Sequence, residues 1–87
     1  MRYEVRLRRT AQKQLDKLSE QDYEILAQAI SALEQEPRPS GAKKLAESGS
    51  WRIRVGQYRV IYYIDDEERL VIVVRVARRT EATYRRL

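Results

Sequence analysis

The sequence predicts an α+β domain in which a helical hairpin packs on one face of an antiparallel β-sheet and a short helix follows the last strand. Two observations predict this class. Residues 9–33 carry apolar side chains every three or four positions, which is typical of amphipathic helices. Residues 51–76 instead alternate between core-like and surface-like side chains, as strands do. The predicted order is β-αα-βββ-α, and 87 residues suit one small domain spanning residues 1–87.

The first part of the chain is predicted to be scaffold. Residues 2–7 alternate and form a short strand, and the helical spacing begins directly after them. Ser19 is the predicted N-cap of the second helix, with Asp22 close to the position that completes a capping box. Pro37 and Pro39 follow the second helix and end it, because the residue before a proline is disfavoured in helical conformation.

The second part is predicted to hold three strands and a terminal helix. A polar connection over residues 40–50 contains Lys43 and Lys44, which either contact a phosphate or form a solvated pair in a loop. Thr80 is a suitable N-cap for a short helix that carries Tyr84. The three strand-like runs cover residues 51–55, 58–64 and 70–76.

Gly56 predicts the register of the first two of these strands. A glycine suits the first position of a two-residue type II′ turn, and that turn places Arg54 opposite Arg59. Alternation then predicts which side chains face the helices: Trp51, Ile53, Val55, Tyr58, Val60, Tyr62 and Ile64, continued in the third strand by Leu70, Ile72, Val74 and Val76. The opposite face is predicted to hold Arg52, Arg54, Arg59, Ile61, Tyr63, Val71, Val73, Arg75 and Ala77.

Cations therefore collect on the face of the sheet away from the helices. This face is predicted to hold Arg52, Arg54, Arg59 and Arg75, with Arg78 and Arg79 just beyond the strand's end. Like charges directly opposite each other on neighbouring strands reduce stability, so the fold gains nothing from this arrangement. A bound phosphate backbone would offset the repulsion, because guanidinium groups match phosphate oxygens well. The alternative is that these arginines extend into water, where salt screens their repulsion.

Composition narrows the chemistry and the partner. The chain has no cysteine and no histidine, which excludes disulfides, thiol chemistry, imidazole catalysis and cysteine or histidine metal sites. We expect no metal and no cofactor. The net charge of +5 is concentrated in residues 51–63 and 75–87, which favours an anionic partner. No apolar run approaches the roughly 20 residues of a membrane helix or the block of a signal peptide, so we expect a cytoplasmic protein with no membrane partner.

Three pieces of the sequence together carry a family resemblance: "GAKKL" (41–45), "WRIRVGQYRVIYYIDDEERLVIVVRVARR" (51–79) and Tyr84. They resemble the RelE/ParE superfamily, the toxins of bacterial toxin–antitoxin pairs, and most of all its RelE branch. The resemblance covers nearly the whole chain and implies a RelE-like fold and a cognate antitoxin. The excess of basic residues favours an acidic antitoxin segment that wraps the toxin. The resemblance also implies a metal-independent endoribonuclease that cuts mRNA in the ribosomal A site, by attack of a ribose 2′-hydroxyl on the adjacent phosphate.

The resemblance also assigns roles to three residues. Arg59 corresponds to the arginine that stabilises the phosphate, and Arg79 to the arginine near the leaving group. Tyr84 corresponds to a tyrosine of the terminal helix that stacks on the substrate base or helps proton transfer. Around them, Arg52, Arg54, Arg75, Arg78, Lys43 and Lys44 are the candidate RNA- and phosphate-binding residues.

Two departures from the family pattern affect the chemistry. Arg52 and Arg54 stand where well-known RelE toxins have lysines, and Arg78 stands where many members have a histidine. Arginine does not lose its proton in proteins, so Arg52 and Arg54 supply only charge and orientation. Tyr84 is then the best remaining general base, because surrounding cations favour its ionised form.

Two other functions stay open from the sequence. One is a ParE-like inhibitor of DNA gyrase, which shares the fold without the cleavage chemistry. The other is a catalytically weak relative that binds RNA or an antitoxin. The combination of a positive face with Arg59, Arg79 and Tyr84 favours the mRNA-cleaving toxin over both.

Overall fold

The computed structural model describes residues 2–45 and 48–79. Within them two helices and five strands form the predicted α+β architecture, with the helical hairpin preceding most of the sheet. The predicted terminal helix from Thr80, including Tyr84, lies outside the described residues. In chain order the elements are β1 (Glu4–Leu7), α1 (Arg9–Asp16), α2 (Glu20–Ala32), β2 (Lys43–Lys44), β3 (Trp51–Val55), β4 (Tyr58–Asp65) and β5 (Leu70–Arg78).

The sheet has the strand order β1-β5-β4-β3-β2. Strands β3, β4 and β5 pair in antiparallel fashion, as predicted, and the edge strand β2, which was not predicted, pairs antiparallel with β3. The first strand, β1, instead pairs in parallel with β5. Parallel pairing requires a crossover connection, and the chain between β1 and β5 includes the helical hairpin. The sheet is therefore mixed, and β4 is its central strand.

The second helix begins at the predicted cap. The hydroxyl oxygen of Ser19 accepts a hydrogen bond from the Asp22 backbone N–H at 3.2 Å, which satisfies one of the free donors at the helix start. Glu20 and Asp22 in the first turn also interact favourably with the positive end of the helix dipole. After the helix, the buried Pro37 accepts a 2.7 Å hydrogen bond from the Tyr62 hydroxyl through its carbonyl oxygen.

The core lies between the two helices and one face of the sheet. Tyr62 is fully buried on β4, and burial raises the pKa of its hydroxyl to about 12. The β3 and β4 positions that were predicted to face the core do so, with Trp51, Val55 and Ile64 only partly buried. The buried apolar residues are Ala11, Leu15, Leu26, Ile30, Leu33, Ile53, Tyr58, Val60, Tyr62, Val71, Val73 and Val76.

The prediction for β5 was wrong over its first half, because a β-bulge interrupts its pairing with β4. Ile61 lies opposite Arg75, but the next residue, Tyr62, lies opposite Val73, so Val74 is an extra residue in β5. One extra residue exchanges the two faces of a strand. Val71 and Val73 are consequently buried with no exposed surface, whereas Leu70, Ile72 and Val74, predicted for the core, are only partly buried. Arg75 and Ala77 keep their predicted face.

A polar cluster outside the core ties the N-terminus to two loops. The Asp66 carboxylate accepts hydrogen bonds from the Tyr3 hydroxyl at 2.5 Å and from the Arg38 guanidinium at 2.8 and 3.3 Å. The Arg38 guanidinium also lies 5.2 Å from the ring centre of Trp51. These contacts hold the loop after α2 and the β4–β5 turn against each other. Among the residues that the structure describes, no helix has the length and apolar character to cross a membrane.

Candidate nucleic-acid interface

The β3–β4 hairpin has the predicted register. Arg54 lies opposite Arg59, and Arg52 lies opposite Ile61. Gly56 has a φ of +60°, the left-handed conformation that the first turn position of a type II′ turn requires and that glycine adopts without strain. The hairpin therefore presents its arginines on the face of the sheet that the helices leave uncovered.

Cations from four strands share this face. Lys43 of β2 lies opposite Arg52, and residues that pair directly across two strands point to the same side of the sheet. Arg75 lies opposite Ile61 and so belongs to the same side. We call the surface formed by Lys43, Arg52, Arg54, Arg59 and Arg75 the arginine face.

Two arginines of this face are buried, a feature that the alternation pattern does not predict. Arg52 and Arg59 expose only 8% and 7% of their surface, whereas Arg54 is exposed. Burial lowers the pKa of the Arg59 guanidinium, and the positive charges of Arg52, Arg54 and Arg79 lower this pKa further. Burial likewise lowers the pKa of Arg52, with added effects from Arg54 and Arg79. An arginine stays protonated even so, which leaves a concentrated positive charge in a partly dehydrated site.

The β3–β4 turn holds Arg79 beside this charge. The Arg79 backbone N–H donates to the Gln57 carbonyl oxygen at 2.8 Å, and its Nη1 donates to the Gly56 carbonyl oxygen at 3.3 Å. The charge of Arg79 acts on both Arg52 and Arg59. Arg79 thus joins the predicted cluster, and the two turn carbonyls that orient it are contributors that side-chain patterns do not reveal.

Two predicted phosphate-binding residues lie elsewhere. Lys43 and Lys44 form the edge strand β2 rather than a loop, and Lys44 lies opposite Trp51, whose side chain packs against the core. Lys44 is therefore on the helix side of the sheet. Arg78 lies opposite Tyr58, with its guanidinium 5.6 Å from the Tyr58 ring centre and its Nη1 3.4 Å from Gln57 Oε1. Arg78 is thus also on the helix side, away from the arginine face.

The arginine face is suited to bind and polarise a phosphate group. Its guanidinium groups donate hydrogen bonds in a planar fork that matches phosphate oxygens. Its arginines are unable to act as bases, and Tyr84, the predicted base, lies outside the described residues. Across residues 2–45 and 48–79, no group of three or more acidic side chains is arranged to hold a metal ion.

Comparison with known proteins decides the family. The family model described as "ParE toxin of type II toxin-antitoxin system, parDE" matches residues 5–83, which is most of the chain. The chain belongs to the RelE/ParE superfamily of toxins. Toxin RelG of Mycobacterium tuberculosis is 36% identical over 88 residues, covering 99% of this chain and 100% of RelG.

Solved structures of RelE-type toxins share the fold. A chain of the toxin–antitoxin complex RelBE2 from Mycobacterium tuberculosis has a TM-score of 0.81 and 33% identity, covering 91% of this chain and 100% of that chain. A chain of the RelE–RelB complex from Pyrococcus horikoshii has a TM-score of 0.83 and 28% identity, covering 94% of this chain and 100% of that chain. The protein is accordingly a RelE-like toxin of a type II toxin–antitoxin system.

Proposed function

We propose that this RelE-like toxin is a metal-independent endoribonuclease that cuts mRNA in the ribosomal A site and so inhibits translation. The observation that carries the proposal is the buried Arg59, which lies on the central strand and is surrounded by the charges of Arg52, Arg54 and Arg79. Burial, and after it the positive charges of these three neighbours, disfavour the charged form of the Arg59 guanidinium. A substrate that places negative charge beside Arg59 offsets this unfavourable burial.

The proposed reaction is an internal transesterification of the RNA. The 2′-hydroxyl loses its proton and its oxygen forms a bond to the adjacent phosphorus while the bond to the 5′-oxygen breaks. The leaving 5′-oxygen takes a proton from solvent water, which gives a 2′,3′-cyclic phosphate and a free 5′-hydroxyl. Negative charge grows on the phosphoryl oxygens in the transition state. Because Arg59 is buried and partly dehydrated, it stabilises this growing charge more strongly than an arginine in water would.

The remaining roles follow from the same chemistry. Arg79, held by the carbonyl oxygens of the β3–β4 turn, stabilises charge on the leaving 5′-oxygen. Tyr84 removes the proton of the 2′-hydroxyl as general base. Arg52, Arg54 and Lys43 bind the flanking phosphates, and Arg75 extends this contact along β5.

Two partners belong to the proposal. The first is mRNA in the ribosomal A site, which places the activity in the cytoplasm. The second is a cognate antitoxin, supported by the two RelE-type structures, which are toxin–antitoxin complexes. We propose that an acidic segment of this antitoxin wraps the basic toxin and folds as it binds.

A primer-extension map of mRNA 5′ ends after expression of the toxin tests the activity, the substrate and the cleavage position together. We expect new ends within translated coding regions, at fixed positions relative to the reading frame. The Arg59→Ala variant, expressed at the same level, is the control and should produce none of them. Arrest of growth by the toxin without any new mRNA ends would overturn the proposal.

The match to the ParE family model favours one second candidate, the inhibition of DNA gyrase. A gyrase inhibitor acts by binding and has no need of a proton-transferring hydroxyl. Tyr84→Phe should therefore abolish the toxicity of a nuclease and barely affect that of a gyrase inhibitor. Supercoiling of relaxed plasmid by purified gyrase, with and without the toxin, separates the two directly.

A further inference from the structure

A second basic site lies on the helix side of the sheet, between α1 and β5. A cavity of about 300 Å³ lies there, lined by Gln14, Lys17 and Leu18 from α1 and the residues after it, and by Tyr58, Arg75 and Arg78 from the sheet. We call it the α1–β5 pocket. Among residues 2–45 and 48–79, no acidic side chain lines it.

The pocket exists because β1 is shorter than β5. The parallel pairing of β1 ends with Leu7 opposite Val73, and no other strand among the described residues pairs with the rest of β5 on that side. Gln14 of α1 takes the place of a strand, since its Oε1 accepts a hydrogen bond from the Val76 N–H at 2.6 Å. A side chain caps the sheet edge less completely than a strand would, and an open cavity stays beside it.

Three cations of the described residues line this cavity. Lys17, at the C-cap of α1, and Arg75 and Arg78 of β5 are all exposed residues in its lining. The Arg78 guanidinium carbon lies 5.6 Å from the centre of the Tyr58 ring. The Tyr58 hydroxyl donates a hydrogen bond to the Asp22 carboxylate at 2.9 Å. These contacts hold the Arg78 guanidinium at the rim of the pocket, where it can bind an anion.

We propose that the α1–β5 pocket binds a phosphate group of an RNA strand, outside the segment that occupies the arginine face. This inference rests on the proposed function in taking RNA as the substrate. RNA is favoured over an acidic peptide by continuity, because Arg75 both lines the pocket and belongs to the arginine face. Arg75 therefore offers one contact point between the two surfaces to a single polyanion that passes around β5.

The test is the salt dependence of RNA binding. The probe is a short single-stranded RNA with every ribose 2′-O-methylated, so that it binds and is not cleaved. Each phosphate contact in a single strand contributes about 0.7 to the slope of log K against log salt. Lys17→Gln should lower this slope by about 0.7 and weaken binding at low salt, and Arg78→Gln should act in the same direction. Lys13→Gln is the matched control, since it removes an exposed lysine of α1 that does not line the pocket.

Equal slopes for Lys17→Gln and Lys13→Gln would overturn the inference, as would a full-length toxin that does not bind the probe at all. Binding of poly-glutamate to the same variants tests the alternative that the pocket takes an acidic peptide. Weaker binding of this peptide with RNA binding unchanged would identify the pocket as a site for an acidic protein and overturn the RNA assignment. The binding assay involves no cleavage, so a failed primer-extension map alongside a lowered slope would count against the nuclease function alone.

Discussion

Arg54 and Arg59 lie directly opposite each other across the β3–β4 hairpin, one exposed and the other buried. The exposed Arg54 lowers the pKa of its buried partner, after the larger effect of burial itself. The pair therefore works against the stability of the free protein.

Arg54→Ala should leave the free energy of unfolding unchanged or raise it by about 0.5 kcal/mol, because it relieves this cross-strand repulsion. The same variant should bind single-stranded RNA more weakly. Chemical denaturation and RNA titration check the two halves, with Lys13→Gln as a charge-matched control for both. A clear loss of stability would mean that Arg54 supports the fold.

The β-bulge predicts that truncating two neighbouring valines, Val73 and Val74, has unequal effects on stability. Val73→Ala should lower the free energy of unfolding by about 2 kcal/mol, since Val73 is fully buried and its truncation leaves a cavity. Val74→Ala should cost less than half as much, because Val74 is only partly buried. Denaturant unfolding of both variants checks the register, and the reverse ranking would show that β5 pairs without the bulge.

These valines also show where sequence patterns stop being informative. The β3–β4 register was predictable because one local feature, the turn at Gly56, sets it. The β4–β5 register was not predictable, because the bulge at Val74 lies within a run of apolar residues. Shifting such a run by one position still places an apolar side chain on the core face. The edge strand of Lys43 and Lys44 was missed for a similar reason, since two residues are too few to show alternation.

The candidate site was predicted in part. Alternation correctly placed Arg52, Arg54 and Arg59 on one face, because this placement depends only on the register of the β3–β4 hairpin. Their unequal burial depends on packing that alternation does not describe. Arg78 was grouped with Arg79 by position in the chain, but consecutive residues of a strand point to opposite faces, and Arg78 lies over Tyr58.

Gly56→Ala should lower the free energy of unfolding by about 1–2 kcal/mol, the cost of a left-handed conformation for a residue with a Cβ atom. The added Cβ meets no atom within 4 Å, so the cost comes from the backbone alone. Gly56→Asn should cost less, because asparagine tolerates this conformation. Thermal unfolding of the two variants checks the prediction, and equal losses would point to a cause other than φ.

Asp66→Asn should destabilise the protein at neutral pH and have no effect in strong acid. Hydrogen bonds from Arg38 and then Tyr3 hold the pKa of the Asp66 carboxyl below its usual 3.8. The stability that this depressed pKa contributes is present above pH 3.8 and is lost as the pH falls through the lower folded value. Unfolding of the variant and the wild type across this range checks the sign. Glu67→Gln is the control, because it removes the same charge from the same turn. An equally large, pH-dependent difference in unfolding free energy between this variant and the wild type would refute the role of Asp66.

Single-turnover cleavage of a programmed ribosome by Arg59→Ala, with ribosome binding measured separately, tests the proposed role of the buried arginine most directly. We expect the cleavage rate at saturating ribosome complex to fall by about 100-fold or more, the scale of one lost transition-state donor, while binding changes far less. Arg54→Ala, its exposed partner, should mainly weaken binding. Equal losses of binding and cleavage for Arg59→Ala would reduce Arg59 to an anchor, and full activity would contradict its place in the site.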